Sequence, residues 1–124
     1  MMASLNALGT PLQSCSLDPP TGWFRDGCCN TDKEDVGSHT VCAQVTQDFL
    51  EYIRELGNDL ITPHPEMGFA GLKPGDSWCV CARSWYQAHL AGVACPIHLE
   101  STHAAALSIV PLKALMEHAI AAEA

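Results

Sequence analysis

Prolines and glycines interrupt two long parts of this sequence and confine regular structure to the segments between and after them. Residues 9–37 and residues 58–75 are rich in turn-forming residues, and their apolar positions keep no sustained period of 2 or 3.6. Helices and strands must therefore be short. We predict strands over Ser38–Val45, Ser77–Ala82 and Pro96–Glu100.

The clearest predicted helix runs from Thr46 to Leu56. Its apolar residues recur at helical spacing, Thr46 is a favoured N-cap residue, and Gly57 is a typical stop. Two further helices are predicted over Arg83–Ala91 and Pro111–Ala121, the latter because proline suits the first helical position. The apolar side of that last helix consists of Leu112, Leu115, Met116 and Ala119.

These short elements indicate an α+β fold with one small sheet, helices mainly on one face of it, and long ordered loops. A chain of 124 residues lies in the usual size range of one domain. We place this domain at residues 9–122 and expect residues 1–8 to be a frayed N-terminus.

Aromatic residues indicate which parts of the chain are buried. The predicted strand Ser77–Ala82 is mostly apolar on both faces, so we expect it to be central and Trp78 to be largely inaccessible. The loop Pro19–Gly37 contains Trp23 and Phe24, which are unusual in a mobile linker. This loop is therefore expected to be ordered and held against the body.

The net charge of -8 limits the classes of partner. An acidic chain repels the phosphate groups that dominate nucleic-acid affinity, and it repels anionic membranes in the same way. No apolar run approaches the roughly 18 residues of a membrane span, and residues 1–10 lack the pattern of a secretory signal. The sequence predicts a cytoplasmic protein whose partner is a small molecule or a metal ion, without nucleic-acid or membrane binding.

Seven cysteines are many for a chain of this size. A reducing compartment argues against a permanent disulfide framework, so metal binding or thiol chemistry becomes the leading interpretation. Cys79 and Cys81 share one face of the predicted strand, with α-carbons roughly 6.5 to 7 Å apart. This separation is near or beyond the limit for a bridge between them, so they either present two sulfurs to a third partner or are core residues.

Cys28 and Cys29 follow a turn-prone segment and seldom bridge each other when adjacent. We predict that at least one of them lies close to Cys79 or Cys81, in a sulfur-rich site that binds a metal or forms a reversible disulfide. Thiolate softness favours zinc or iron as the metal. The spacings match no recognised zinc signature. The candidate metal ligands are Cys28, Cys29, Cys42, Cys79 and Cys81.

Two histidines are candidate bases for a thiol nucleophile, Cys28 or Cys29. His39 lies three residues before Cys42, which places the two on one face of a helix but on opposite faces of the predicted strand. His103 stands at a predicted helix start, where the helix dipole lowers the pKa of an imidazole. Structural roles for both remain open. The residues read as surface, packing or structural are His64, His89, His98, His118, Cys15 and Cys95.

Several blocks of the chain together resemble a known family. They are GTPLQSC, GWFRDGCC, DVGSHTVCA, GNDLITPHPE, GLKPGDSWCVCA and THAAAL. In this order they are similar to a mainly bacterial, uncharacterised family, domain of unknown function 2237, from about Gly9 to the C-terminal helix. The resemblance implies no activity, substrate or cofactor. Of the cysteines, Cys95 lies outside these blocks, which supports a structural role for it.

Three functions are consistent with these residues. The first is a cysteine-based protein that binds zinc or iron or performs thiol redox chemistry. The second is an enzyme with a cysteine nucleophile and a histidine base, whose polar loop residues line a pocket. The third is a non-catalytic binding module in which the cysteines only pack. Metal content and the reactivity of single thiols distinguish them.

Overall fold

The structure is a computed structural model that describes residues 4–16, 21–22, 27–32, 35, 37–67 and 69–120, without the side chain of Met67. The predicted anchors Trp23 and Phe24 lie outside the described residues. Much of the loop Pro19–Gly37 lies outside them as well, so its predicted order stays a prediction.

A two-stranded antiparallel sheet and three α-helices form the described part of the chain, which confirms the small α+β fold. Strand β1 (Val41–Gln44) pairs with strand β2 (Ser77–Val80). Both strands lie within the predicted ranges and are shorter than predicted. In the register of this sheet, Cys42 lies opposite Cys79. Among the described residues β2 has one strand partner, so the expectation of a central strand was wrong.

Helix α1 (Gln47–Glu55) confirms the clearest sequence prediction. The Thr46 hydroxyl accepts a hydrogen bond from the backbone N–H of Phe49 at 3.2 Å, as an N-cap residue should. Gly57 follows with a φ of 98°, a left-handed conformation that glycine adopts without strain. The buried face of α1 consists of Phe49, Leu50 and Ile53.

Helix α2 (Ala82–Leu90) begins one residue earlier than predicted, and this shift corrects the interpretation of Cys81. Strand β2 ends at Val80, so Cys81 is the N-cap residue of α2 and does not belong to the strand. Cys79 and Cys81 therefore do not lie on one strand face. Trp85, on the buried side of α2, is fully inaccessible.

Helix α3 (Leu112–Glu117) is shorter than the predicted Pro111–Ala121. The chain leaves the helix because Ala119 forms a parallel bridge with Ile97, which also bridges Ala43 in β1. The predicted strand Pro96–Glu100 is thus reduced to Ile97, and a 3-10 helix follows over Leu99–Ser101. The buried residues of α3 are Ala114 and Leu115, whereas Leu112 and Met116 are exposed.

The apolar core lies between the sheet and the helices. Its largest fully buried residues include Trp85, Phe49 and Ile97, and Trp78 is 6% exposed, which confirms its predicted inaccessibility.

None of the helices in the described part of the chain is long and apolar enough to span a bilayer.

Asn6 joins the N-terminal residues to this body. Its side chain is fully buried, donates to the backbone carbonyl of Glu100 at 3.1 Å, and accepts from the backbone N–H of Thr10 at 3.0 Å. Asn6 therefore belongs to the folded part, although the sequence placed residues 1–8 in a frayed end.

Candidate functional site

Two disulfides lie side by side across the sheet. Cys15 is bonded to Cys42 and Cys29 to Cys79, with α-carbons 5.7 and 5.3 Å apart. Cys42 and Cys79 are cross-strand partners, which brings the two bridges together. The sulfurs of Cys15, Cys29 and Cys79 all lie within 4.8 Å of one another. Cys29, Cys42 and Cys79 are buried, and Cys15 is partly exposed.

The bridge between Cys29 and Cys79 confirms the predicted proximity of these two cysteine pairs. The bridge between Cys15 and Cys42 is a correction, because the sequence left Cys15 isolated and argued against disulfides. Spacing could not have identified this pair, since 27 residues separate its members. The position of Cys15 in the family-like block GTPLQSC was the one signal that pointed to it.

A pocket of about 230 Å³ opens beside the Cys29–Cys79 disulfide. Part of its wall is apolar, and histidine, carboxylate, amide and thiol groups provide the rest. Pockets of this mixed character suit small molecules with an apolar body and a few polar groups. The lining residues are Gly22, His39, Asn58, Asp59, Leu60, His64, Phe69, Trp78, Cys79, Val80 and Cys81.

Cys81 brings a thiol to this pocket. It is partly exposed and is not disulfide-bonded. Cys81 is the N-cap residue of α2 and lies at the positive end of the helix dipole. The first N–H of the helix, that of Ala82, donates to the carbonyl of Ser38 at 3.0 Å. This bond joins the start of α2 to the segment that carries His39.

Asp35 holds the imidazole of His39. The Asp35 Oδ1 atom lies 2.6 Å from His39 Nδ1, and Oδ2 accepts from the His39 backbone N–H at 2.9 Å. The Thr31 hydroxyl also donates to Oδ2, at 2.9 Å. The carboxylate therefore engages Nδ1 and fixes the orientation of the ring.

The carboxylate of Asp35 stays ionised although its side chain is fully buried. Burial alone would raise the pKa of Asp35. The hydrogen bonds from the His39 ring, the His39 backbone and the Thr31 hydroxyl together outweigh burial and lower this pKa below its ordinary value. An ionised carboxylate can therefore orient the ring of His39 at neutral pH.

The backbone before His39 is constrained. Ser38 has a φ of 49°, an uncommon conformation for a residue other than glycine. Gly37 lies against the imidazole, so that a Cβ atom there would come within 3.0 Å of His39 Cε1. Strained residues of this kind cluster at functional sites. Residues 37–39 thus fix the position of the ring at a conformational cost.

The chain was compared with protein families and with curated proteins. Residues 5–119 match the family described as an uncharacterized protein conserved in bacteria, DUF2237. The chain belongs to this family. None of the curated proteins matches the chain. Membership of DUF2237 confirms the resemblance found in the sequence and assigns no activity.

The candidate base His103 of this DUF2237 member is not among the residues that line the pocket. His103 is the N-cap of a 3-10 helix over Ala104–Ser108, and its Nδ1 accepts from the backbone N–H of Ala105 at 2.9 Å. Burial lowers the pKa of His103. The structure therefore gives His103 a capping role and does not bring it to Cys81.

The remaining cysteines differ in accessibility. Cys29 is fully buried and bridged, so it offers no thiol in this oxidised form. Cys28 is partly buried, is not disulfide-bonded, and is absent from the described lining of the pocket. Burial raises the pKa of the Cys95 thiol to about 12, which keeps it protonated and supports its structural interpretation.

Sequence reasoning missed the role of Asp35 and the contribution of His64 to the pocket wall. The separation of four residues between Asp35 and His39 was a weak signal for their contact. The sequence predicts a surface or packing role for His64, and nothing in its local sequence marks it as part of a pocket.

Proposed function

We propose that this protein is a thiol-dependent enzyme in which Cys81 is the nucleophile and His39 the base, with Asp35 orienting His39. One observation carries the proposal. Cys81, which is not disulfide-bonded, lines the same pocket as His39, and a buried carboxylate holds Nδ1 of His39. A nucleophile, a base and a group that orients the base are the parts that covalent catalysis by cysteine requires.

An acyl compound is the substrate class that these parts fit. Cys81 gives its thiol proton to His39 Nε2, and the sulfur bonds to the carbonyl carbon. The leaving group departs with that proton. Water then attacks the thioester, which releases the acid and returns the proton to the Cys81 sulfur. Backbone N–H groups in the first turn of α2, other than that of Ala82, which donates to Ser38, are the donors we assign to the developing oxyanion.

The pocket is consistent with a small acyl group. Leu60, Phe69 and Trp78 supply apolar surface for its carbon chain. The Phe69 and Trp78 rings contact each other, with centroids 5.4 Å apart. At about 230 Å³ the cavity holds a compound of metabolite size and excludes a folded protein chain.

Alkylation kinetics and ester hydrolysis test the proposal on protein whose disulfides are intact. We expect iodoacetamide to modify Cys81 faster than Cys28, which is also unbridged and partly buried and is therefore the matched control. With p-nitrophenyl acetate, we expect a burst of one nitrophenol per chain that Cys81→Ser abolishes. His39→Gln should slow the acylation step by roughly 10²- to 10⁴-fold.

A different pattern would refute this assignment. If Cys28→Ser removes the burst and Cys81→Ser does not, Cys81 is not the nucleophile. If both variants hydrolyse the ester at the wild-type rate, the chemistry does not depend on these thiols.

The paired disulfides support a second candidate function, a thiol redox or metal site. Reduction of both bridges by an external thiol takes up four electrons and four protons and leaves four thiols, two on the paired sheet residues Cys42 and Cys79 and two on Cys15 and Cys29. Four thiolates around zinc at about 2.3 Å place their sulfurs roughly 3.8 Å apart. The sulfurs of Cys15, Cys29 and Cys79 already lie within 4.8 Å of one another.

Thiol counting together with elemental analysis tests the second candidate. We expect three thiols in the oxidised, denatured protein, from Cys28, Cys81 and Cys95. Protein purified under reducing conditions should contain about one zinc or iron per chain before denaturation. After denaturation in a chelator it should show seven thiols. Cys79→Ser should release that metal. Metal retained by Cys79→Ser, or none in the reduced wild type, would reject the metal site and leave redox cycling alone.

A further inference from the structure

A group of metal-binding side chains lies at the ends of α2 and α3. His89 is in the last turn of α2, Glu117 ends α3, and His118 follows it. His89 Nδ1 lies 3.0 Å from His118 Nε2, and His89 Nε2 lies 4.0 Å from Glu117 Oε2. One ligand atom from each residue lies within 4.8 Å of the others.

Aromatic side chains hold both imidazoles. The fully buried Trp85 stacks on His89 with centroids 5.8 Å apart, and its ring meets His118 edge-on at 5.4 Å. Tyr86 also stacks on His89, at 5.9 Å. Trp85 itself is fixed, since its indole N–H donates to the backbone carbonyl of Cys95 at 3.1 Å.

The backbone of His118 is fixed in the same way. Its carbonyl accepts from the N–H of Ile97 at 2.9 Å, and the N–H of Ile120 donates to the carbonyl of Ile97 at 2.8 Å. Ile97 in turn bridges Ala43 of β1. The two histidines are therefore anchored to the sheet and to the core, and this rigidity is what a binding site needs.

We propose that His89, His118 and Glu117 bind a divalent cation of the zinc class. Two imidazoles and one carboxylate are a common set of zinc ligands that leaves coordination positions for water. A metal with bonds of 2.0 to 2.1 Å to nitrogens 3.0 Å apart makes an angle of roughly 90 to 95° between them. Small movements of the rings would open this angle to the tetrahedral value.

The electrostatic setting favours the same ligand. The chain carries a net charge of -8, which attracts cations. The half-exposed side chain of Glu117 can turn toward the metal without disturbing the core.

This site is independent of the proposed thiol chemistry, and the experiment keeps them separate. Zinc is titrated by calorimetry into protein that has intact disulfides and has been alkylated at its accessible thiols, so that Cys81 cannot contribute. We expect one zinc per chain. His89→Gln and His118→Gln should each weaken its binding by at least 10-fold, and Glu117→Gln by less.

A matched control and a local signal complete the test. His64 and Glu66 form another histidine–carboxylate pair, with atoms 3.3 Å apart, and among the described residues this pair has no third metal-binding side chain within the same reach. His64→Gln should leave zinc binding unchanged. Nickel or copper should quench tryptophan fluorescence through Trp85, and His118→Gln should remove this quenching while circular dichroism shows a retained fold.

Two results would overturn the proposal. One is the absence of saturable zinc binding to the alkylated protein, which would leave the two imidazoles with their hydrogen bond alone. The other is zinc binding that persists in both His89→Gln and Glu117→Gln, since Glu117 is exposed enough for its replacement to leave folding intact. Either result leaves the assignment of Cys81 untouched.

Discussion

The chain before Val41 and the chain after it are held in place by different forces. In the described residues between 4 and 40 there is no helix and no paired strand. This N-terminal layer is held by disulfides from Cys15 and Cys29 and by polar contacts such as those of Asn6. Ala7 is the one described member of the main apolar cluster that precedes Val41.

Residues 41–120 form a body with the opposite character. Strands β1 and β2 and helices α1 to α3 bury a continuous apolar cluster. Hydrophobic burial therefore stabilises the body, whereas covalent and polar links attach the N-terminal layer to it. The pocket lies where the two meet, because Asp35 and His39 belong to the layer and Cys81 belongs to the body.

The largest expected effect is in the core of the body. Phe49→Ala should lower the free energy of unfolding by about 3 to 5 kcal/mol, since it leaves a cavity under α1. Denaturant unfolding followed by far-UV circular dichroism measures this loss. Ile53→Val is the control and should cost about 1 kcal/mol. A loss below 1 kcal/mol in Phe49→Ala would contradict the view that apolar burial stabilises the body.

Removal of the Cys29–Cys79 bridge tests how the layer is attached. The double variant Cys29→Ala/Cys79→Ala should lose about 2 to 4 kcal/mol, because the bridge closes a 50-residue separation in the unfolded chain. We expect faster amide exchange and proteolysis before Val41, with protection retained in α1 and α2. Hydrogen exchange read by mass spectrometry locates the effect. An equal loss of protection before Val41 and in α1 and α2 would contradict the view that this disulfide mainly attaches the N-terminal layer.

Asp35→Asn measures a polar attachment at the edge of the pocket. The ionised carboxylate accepts three hydrogen bonds, so its loss should lower the free energy of unfolding by about 1 to 2 kcal/mol at pH 7. This loss is smaller than that expected for a fully buried hydrogen-bond network, because His39 is partly exposed.

The pH dependence of this effect has a definite sign. Because folding lowers the pKa of Asp35, the stabilisation is complete above the unfolded pKa of about 3.9 and is lost as pH falls through the lower folded pKa. The stability gap between wild type and Asp35→Asn should therefore narrow below about pH 4. Urea titrations at pH 7 and pH 3 measure it. A gap of the same size at both pH values would mean that the charge of Asp35 does not stabilise the fold.

The smallest expected effect concerns the start of α1. Thr46→Ala removes the side-chain cap on the Phe49 N–H and should cost about 1 kcal/mol, whereas Thr46→Ser keeps the hydroxyl and should be close to neutral. Thermal unfolding of the three proteins compares them. If serine destabilises as much as alanine, the Thr46 methyl group, and not the hydrogen bond, stabilises this helix start.

Local features of the fold could be predicted from the sequence. Helix α1, its cap at Thr46 and its stop at Gly57 follow from interactions within a few residues, and the positions of β1, β2 and α2 follow from short-range patterns. The prediction that Cys28 or Cys29 lies close to Cys79 or Cys81 is confirmed at the Cys29–Cys79 bridge, although Cys81 does not share a strand face with Cys79. The positions of the helices and strands depend on neighbours in the chain, which a sequence displays directly.

What required the tertiary structure depends on contacts between distant residues. Cys15 meets Cys42 across 27 residues, and His89 meets His118 across 29, and no periodicity marks either pair. Strand β2 ends at Val80, so Cys81 lies at the start of a helix and not on a strand face. A difference of one or two residues in the end of the strand decides between these two positions. Local patterns determine which element a residue joins, but the packing of the whole chain determines which side chains meet, because loop paths and strand register are settled by the shared core.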